Sequence, residues 1–279
     1  MTLTLQLLPP WFTHTMAIAF GLVVGSFINV VVARLPHGQS IVTPRSRCPK
    51  CEKSIAWYDN IPVLSYLVLR GRCRGCKTSI SVRYPAIELL VALLFLATEI
   101  KFGVGGLLLI RDWPFVASLV AITFIDLEHR IIPDELSLGG LVLGLLTAWF
   151  VPGLGLVMAL VGAALGFGFF YGLSWTYYRL KGKVGLGGGD IKLLAMFGAF
   201  LGPAGVFSTV LISSVMGSVI GITYALATRK TAASESGSDE APSGGLMNVA
   251  IPYGPFLVLG ALYYYFLGDL EWLPFMKLM

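Results

Sequence analysis

Apolar runs about as long as a bilayer is thick recur along almost the whole chain, at roughly 14–34, 84–101, 107–127, 132–151, 154–178, 190–202, 204–228 and 249–268. A continuous apolar run of this length reads as a helix crossing hydrocarbon. With 56% of the 279 residues hydrophobic and only 13% charged, the chain is far more apolar than a soluble domain. It is expected to be an all-α polytopic membrane protein with about eight transmembrane helices. The first run follows a segment without Lys or Arg and precedes no small-residue cleavage site, so it reads as a retained helix rather than a signal peptide. There is no convincing internal repeat, which gives little support to repeat architectures or inverted-repeat transporters.

The cations fix an orientation. Threading the chain through those segments places all but Lys101, Arg111 and Lys277 of the 20 Lys and Arg on one face, the cytoplasmic one by the positive-inside rule. Both termini then lie outside and the Arg34–Arg83 region lies inside. The formal charge of +5 is thus explained by topology and anionic headgroups. No recognition helix or aromatic platform accompanies it, so nucleic acid is not an expected partner.

Residues 35–83 form the sizeable polar domain. CPKC is followed after 21 residues by CRGC, and Cys48, Cys51, Cys73 and Cys76 are all the cysteines present. Two CxxC turns at this separation suit a tetrahedral four-thiolate zinc site, with Gly75 relieving crowding. Two disulfides or a redox pair are the alternative, which a cytosolic placement disfavours. The domain has few apolar residues, so metal would supply folding free energy it otherwise lacks.

Two aspartates stand out in apolar surroundings. Gly185–Leu201 reads GLGGGDIKLLAMFGAFL, in which a glycine run delivers Asp190 to the start of an apolar helix; Asp126 lies 64 positions upstream in FIDLEHRIIPDEL. A glycine run lets main chain approach a bound peptide closely. An ionisable residue within a spanning segment is a functional candidate, because hydrocarbon penalises its charge. Helix capping is the plainer account of Asp190. Asp126 has no such account, since it sits near a helix C-terminus, where the dipole disfavours an anion. Depth ties the two together. Counting from Asp112 and Trp113, Asp126 lies about 21 Å inward, and counting from the GPAG turn at 202–205, Asp190 lies roughly 20 Å inward. Both carboxylates would then sit about 10 Å short of the cytoplasmic face of a hydrocarbon core about 30 Å thick.

Other polar residues have structural readings. Ser26 and Asn29 in GSFINVVVARLP are expected to bond neighbouring helices. Glu88 is placed in the first turn of a helix beginning at Pro85, where it complements the dipole, and Asp134 and Glu135 do the same after Pro133. His129 is expected in a solvated turn. Glycines 162, 166 and 168 are expected to be helix-packing contacts, residues 229–248 a disordered cytoplasmic loop, and Tyr263–Tyr265 packing and interfacial aromatics. The domains expected are 1–34, a first transmembrane helix; 35–83, the tetracysteine domain; and 84–279, the membrane-embedded remainder.

Taken together, GSFINVVVARLP, SRCPKC, YDNIPVLSYLVLRGRCRGC, ISVRYPAIELL, DLEHRIIPDELSL and GLGGGDIKLLAMFGAFLG resemble the bacterial type IV prepilin peptidase and N-methyltransferase family. The resemblance runs from about residue 20 to 202 in the family's order. A GxGD alone would be weaker, since presenilins and signal peptide peptidases share it. The resemblance implies an inner-membrane aspartic endopeptidase that cleaves the leader of type IV prepilins and type II secretion pseudopilins after a glycine, on the cytoplasmic side. It implies methylation of the new N-terminal residue, usually Phe, with S-adenosylmethionine. It also implies that Asp126 and Asp190 are the catalytic aspartates and that Cys48, Cys51, Cys73 and Cys76 are the tetracysteine ligands. A peptidase without methyltransferase activity, a transporter with proton-carrying aspartates and a structural subunit of a secretion machine are the alternatives. The S-adenosylmethionine site and the oligomeric state stay open, because GLGGG lacks the strand context of nucleotide-binding loops.

Overall fold

The computed structural model describes residues 8–183, 185–235 and 252–268. Among them the regular structure is helical, apart from two isolated β-bridges in the cysteine-rich segment. The chain divides into two compact units, Met1–Gly153 and Leu154–Met279. Among the described residues four stretches are long and apolar enough to cross a membrane: Pro10–His37, Leu108–His129, Gly155–Lys181 and Gly188–Thr223. Gly254–Leu267 is a shorter apolar helix.

The first unit is built on helices α1 (Pro10–Arg34), α2 (Leu64–Val68), α3 (Arg83–Phe102), α4 (Trp113–His129) and α5 (Asp134–Ala148). α1 and α3 lie backbone against backbone. A Cβ at Gly21 would fall 2.6 Å from the Ala92 Cα, and one at Gly25 would fall 2.6 Å from the Glu88 Cα. Close approach of this kind, made possible by small residues, is how apolar helices associate without a hydrophobic driving force between them. The seam is locked at both ends. His14 Nδ1 lies 2.5 Å from Glu99 Oε2 at one, and Asn29 Nδ2 donates to the Tyr84 carbonyl at 3.2 Å at the other. Between them Phe95 stacks on Trp113, with centroids 4.8 Å apart and planes 9° apart, and the Trp113 indole N–H donates to the Phe95 carbonyl. α4 is entered through one π-helical turn, Leu108–Asp112. Asp112 and Trp113, placed at an interface by the sequence reading, are buried, and Asp112 takes a 2.8 Å hydrogen bond from Arg111.

The second unit consists of α6 (Gly155–Lys181), α7 (Gly188–Glu235) and α8 (Gly254–Leu267). α6 crosses α7 at glycines. A Cβ at Gly162 would lie 2.3 Å from the Gly198 carbonyl oxygen, and one at Gly166 would lie 2.4 Å from that of Leu194. Gly168, expected in the same role, meets nothing within 4 Å. α7 is interrupted at Gly202, whose φ of 70° and ψ of −173° lie outside helical space, and Pro203 follows. On a continuous helix Cβ positions four apart are about 5–6 Å apart. A Cβ at Gly205 would lie only 2.2 Å from that of Leu201, so the chain bends sharply here. This is the GPAG turn read from the sequence. α6 packs before the turn and α8 after it, where Gly260 meets the Thr209 carbonyl. Tyr265 is buried in this unit.

The expectation of a disordered loop from residue 229 is corrected at its start, because α7 runs on to Glu235. Alanine and lysine in TRKTAAS suit a helix. The rest of that segment, and the chain ends used in the topology count, lie outside the described residues.

Candidate functional site

The four cysteines converge. Their sulfurs all lie within 4.8 Å of one another, with Cys48 Sγ and Cys76 Sγ 3.7 Å apart, and all four are free. The two CxxC segments are built alike. The Cys48 amide donates to the Lys53 carbonyl and the Glu52 amide to that of Cys48; the Cys73 amide donates to Thr78 and the Lys77 amide to Cys73. Glu52 and Lys77, just after each second cysteine, both have positive φ, at 56° and 58°. Bridges between Arg47 and Ser54 and between Arg72 and Ser79 close the two loops. Gly75 is packed against the site: a Cβ there would lie 3.7 Å from Cys51 Sγ and 3.9 Å from Cys73 Sγ.

This donor set fits a metal ion. Zinc–sulfur bonds of about 2.3 Å in tetrahedral array put sulfurs roughly 3.8 Å apart, close to the separation found. Backbone N–H groups of Cys51 and Lys50 pull the Cys48 thiol down to about 6. The Thr78 amide lowers Cys76, but burial and donation to the other three sulfurs outweigh it and push that thiol up to about 11. Four thiols held this closely cannot all ionise unless a cation joins them. Beside the cluster, Arg74 grips Asp59 with two hydrogen bonds of 2.7 and 2.6 Å.

Each aspartate occupies the helical position read from the sequence. Asp126 is the fourth residue from the C-terminal end of α4, is 6% exposed, and its carbonyl takes the Arg130 amide at 2.9 Å. Arg130 caps that end with φ 56° and ψ 37°, while Arg83 forms an ion pair with Glu128. Asp190 lies in the first turn of α7 and is half-buried. Asp134 and Glu135 occupy the first turn of α5, as expected, with Pro133 as the capping residue.

Two expectations fail. His129 is the last residue of α4, not part of a turn, and its ring stands edge-on to His37 with centroids 5.1 Å apart. Glu88 is not a first-turn residue, because α3 begins at Arg83. It is 7% exposed, and its Oε2 accepts the Val63 amide at 2.7 Å. Val63 is a β-branched residue held at φ 59°, a conformation that such side chains avoid. Asn29 behaves partly as expected. Its Nδ2 serves the carbonyls of Gly25 and Tyr84, but its buried Oδ1 has no partner.

A family profile described as the bacterial peptidase A24 N-terminal domain matches residues 19–102, and one described as the type IV leader peptidase family matches residues 113–222. Among similar curated proteins is a prepilin leader peptidase/N-methyltransferase of Myxococcus xanthus, 42% identical over 240 residues, covering 85% of this chain and 71% of that one. Its namesake in Pseudomonas putida is 36% identical over 280 residues, covering 92% and 91%. A type 4 prepilin-like proteins leader peptide-processing enzyme of Escherichia coli is 36% identical over 265 residues, covering 87% and 89%. No solved structure matches.

Proposed function

Because the chain belongs to the type IV leader peptidase family, we propose that it removes the leader of type IV prepilins and type II secretion pseudopilins after a glycine and then N-methylates the new N-terminal residue. What supports the peptidase half is the match to the leader peptidase family over residues 113–222, a stretch that carries one aspartate near the end of α4, Asp126, and another at the start of α7, Asp190. S-adenosylmethionine is the methyl donor, supplying an activated methyl group on a sulfonium.

On this reading Asp126 and Asp190 work as an acid–base pair with one proton between them. Helix polarity divides the work. Asp190, at the start of α7, is the general base, and Asp126, near the end of α4, is the acid. Asp190 takes a proton from the attacking water as its oxygen bonds to the scissile carbonyl carbon. Asp126 gives its proton to the carbonyl oxygen. The pair then returns a proton to the leaving amine as the C–N bond breaks.

Zinc held by Cys48, Cys51, Cys73 and Cys76 makes 35–83 a folded cytoplasmic domain. Eight crossings follow if α1, α3, α4, α5, α6, both arms of α7 and α8 each span the membrane. Positive-inside placement then puts both termini in the periplasm and the active site on the cytoplasmic side. In a Cys-free variant, a cysteine introduced near Gly153 should react with an impermeant thiol reagent in intact cells while one near Ser236 stays protected. The reverse pattern would overturn the orientation.

Incubating the purified protein with a prepilin in detergent and weighing the products by mass spectrometry tests the reading. A shortened product, and a further methyl mass when S-adenosylmethionine is added, is expected. An unprocessed prepilin would contradict it. Ion-dependent flux without cleavage would favour a transporter instead.

A further inference from the structure

Within the first unit a cavity of about 970 Å³ opens between α1, the start of α3 and the loops that carry the cysteines. It lies in a size range usual for small-molecule sites, which run from about 300 to 1,000 Å³. Three polar side chains that the peptidase chemistry does not use line it: Ser26 and Asn29 from α1 and Glu88 from α3. They converge because Gly25 lets α1 meet the Glu88 backbone, where any Cβ would clash at 2.6 Å.

Two of the three carry unmet chemistry. Asn29 is 4% exposed, and its Oδ1 has no hydrogen-bond partner. Exchanging its oxygen and nitrogen would set an acceptor against the carbonyls of Gly25 and Tyr84, so the orphaned atom is an acceptor in want of a donor. A buried acceptor left unpaired is costly, and a ligand that supplies the donor removes the cost. Glu88 is also more than nine-tenths buried, hydrogen-bonded to the Val63 amide and the Ser26 hydroxyl, with no cation paired with it among the ion pairs of the described residues. A carboxyl withdrawn from water takes up its charge readily only when a cation is set beside it. Tyr58, Tyr66 and Tyr84 line the same cavity, with Arg74 over one face of Tyr58 and Arg83 over one face of Tyr84.

We propose that this cavity is the S-adenosylmethionine site, in which Glu88 supplies the counter-charge to the sulfonium and Asn29 Oδ1 accepts a hydrogen bond from an N–H or O–H of the ligand. The inference rests on the methyl-transfer reading above and extends it by assigning residues. A sulfonium is a fixed cation without a hydrogen to donate, so it is held by charge and by aromatic faces rather than by hydrogen bonds. An adenine ring is held by stacking on aromatic side chains. The cavity offers a buried carboxyl, three tyrosines and an unpaired acceptor, with Arg34, Arg47 and Lys53 also on its lining; that combination suits a ligand with a cation at its centre, a flat heterocycle at one end and a carboxylate at the other. Transfer of the methyl group leaves a neutral thioether, so the same site binds the product, S-adenosylhomocysteine, without the central charge pairing.

That difference in charge supplies the test. Binding of S-adenosylmethionine and of S-adenosylhomocysteine to the purified full-length protein in detergent is measured by titration calorimetry, with zinc content and melting temperature confirming the fold of each variant. Glu88→Gln should weaken S-adenosylmethionine roughly tenfold or more, the size of a lost charge interaction, while changing S-adenosylhomocysteine less than about threefold. Asn29→Ala should weaken both ligands by a similar factor. Equal affinity of Glu88→Gln and the unaltered protein for S-adenosylmethionine, or an equal loss for both ligands, would overturn the assignment. If Glu88→Gln fails to fold, light-driven crosslinking of methyl-labelled S-adenosylmethionine to the unaltered protein decides instead. Label within residues 26–88 supports the site, and label confined to other segments refutes it. Failure of the unaltered protein to bind S-adenosylmethionine at all would defeat the methyl-transfer reading itself and this site with it.

Discussion

Gly187 stands so close to Asp190 that a Cβ on it would lie 3.3 Å from the carboxylate oxygen Oδ2. The glycine run before α7 therefore does more than permit a turn. It leaves the space in which the Asp190 carboxylate sits, and the neighbouring Gly188 faces nothing within 4 Å.

The two glycines should respond differently to the same methyl group. Gly187→Ala pushes the carboxylate by a few tenths of an ångström, and misplacing a reacting group costs up to about a hundredfold in rate per ångström. A loss of about tenfold in prepilin cleavage is expected, with little change in melting temperature. Gly188→Ala should cleave at close to the unaltered rate. Equal rates for the two variants would show that the space beside Asp190 is not used.

Metal should be present in stoichiometric amount. Elemental analysis is expected to find one zinc per chain, and Cys48→Ser combined with Cys73→Ser should abolish it, since two thiolates cannot close a tetrahedral site. Chelation should lower the melting temperature, because binding free energy in such a site is folding free energy. Zinc content unchanged by the double substitution would remove the assignment.

The α6–α7 crossing depends on bare backbone. A Cβ on Gly198 would fall 2.1 Å from the Gly162 carbonyl oxygen. Gly198→Ala must therefore separate the helices, and overpacking of this kind costs about 1–3 kcal/mol. A fall in melting temperature is expected for Gly198→Ala and none for Gly168→Ala, whose Cβ meets open space.

Acid should act on the cysteine domain through Asp59. Hydrogen bonds from Arg74, reinforced by its charge, hold the Asp59 carboxyl below the usual carboxylate range. A group depressed in the folded state stabilises above its unfolded pKa, about 3.9, and loses that contribution as pH falls through its folded value. Asp59→Asn should therefore melt lower than the unaltered protein at pH 5 to 7. The gap should narrow well below pH 4, and a gap that widens in acid would contradict the pairing.

The helices were legible because hydrocarbon demands long apolar segments, and even the interruption of α7 could be read at Gly202 and Pro203. The cysteine cluster was legible from spacing alone, since each CxxC is a local turn. Glu88 was misread for the opposite reason. Its position near a helix start suggested a dipole role, but what it bonds is the Val63 amide, 25 residues away. Nothing local announces a contact of that separation. Val63 is apolar and β-branched, so no glycine marked its positive φ. His129 falls in the helix because α4 runs on to it and is capped by Arg130 in a left-handed conformation, one that sequence patterns seldom assign to arginine.

If Asp126 and Asp190 share the catalytic proton, substitution by asparagine, which keeps their shape while removing that proton, stops the reaction. Cleavage of a purified prepilin by Asp126→Asn, Asp190→Asn and Asp134→Asn, each with its fold verified by melting temperature, is the most direct measurement. Asp134 lies in the first turn of α5 and should matter only for stability, by roughly 0.3 to 1 kcal/mol. The expected result is no detectable product from Asp126→Asn or from Asp190→Asn and near-normal product from Asp134→Asn. Substantial cleavage by either of the first two would contradict the account.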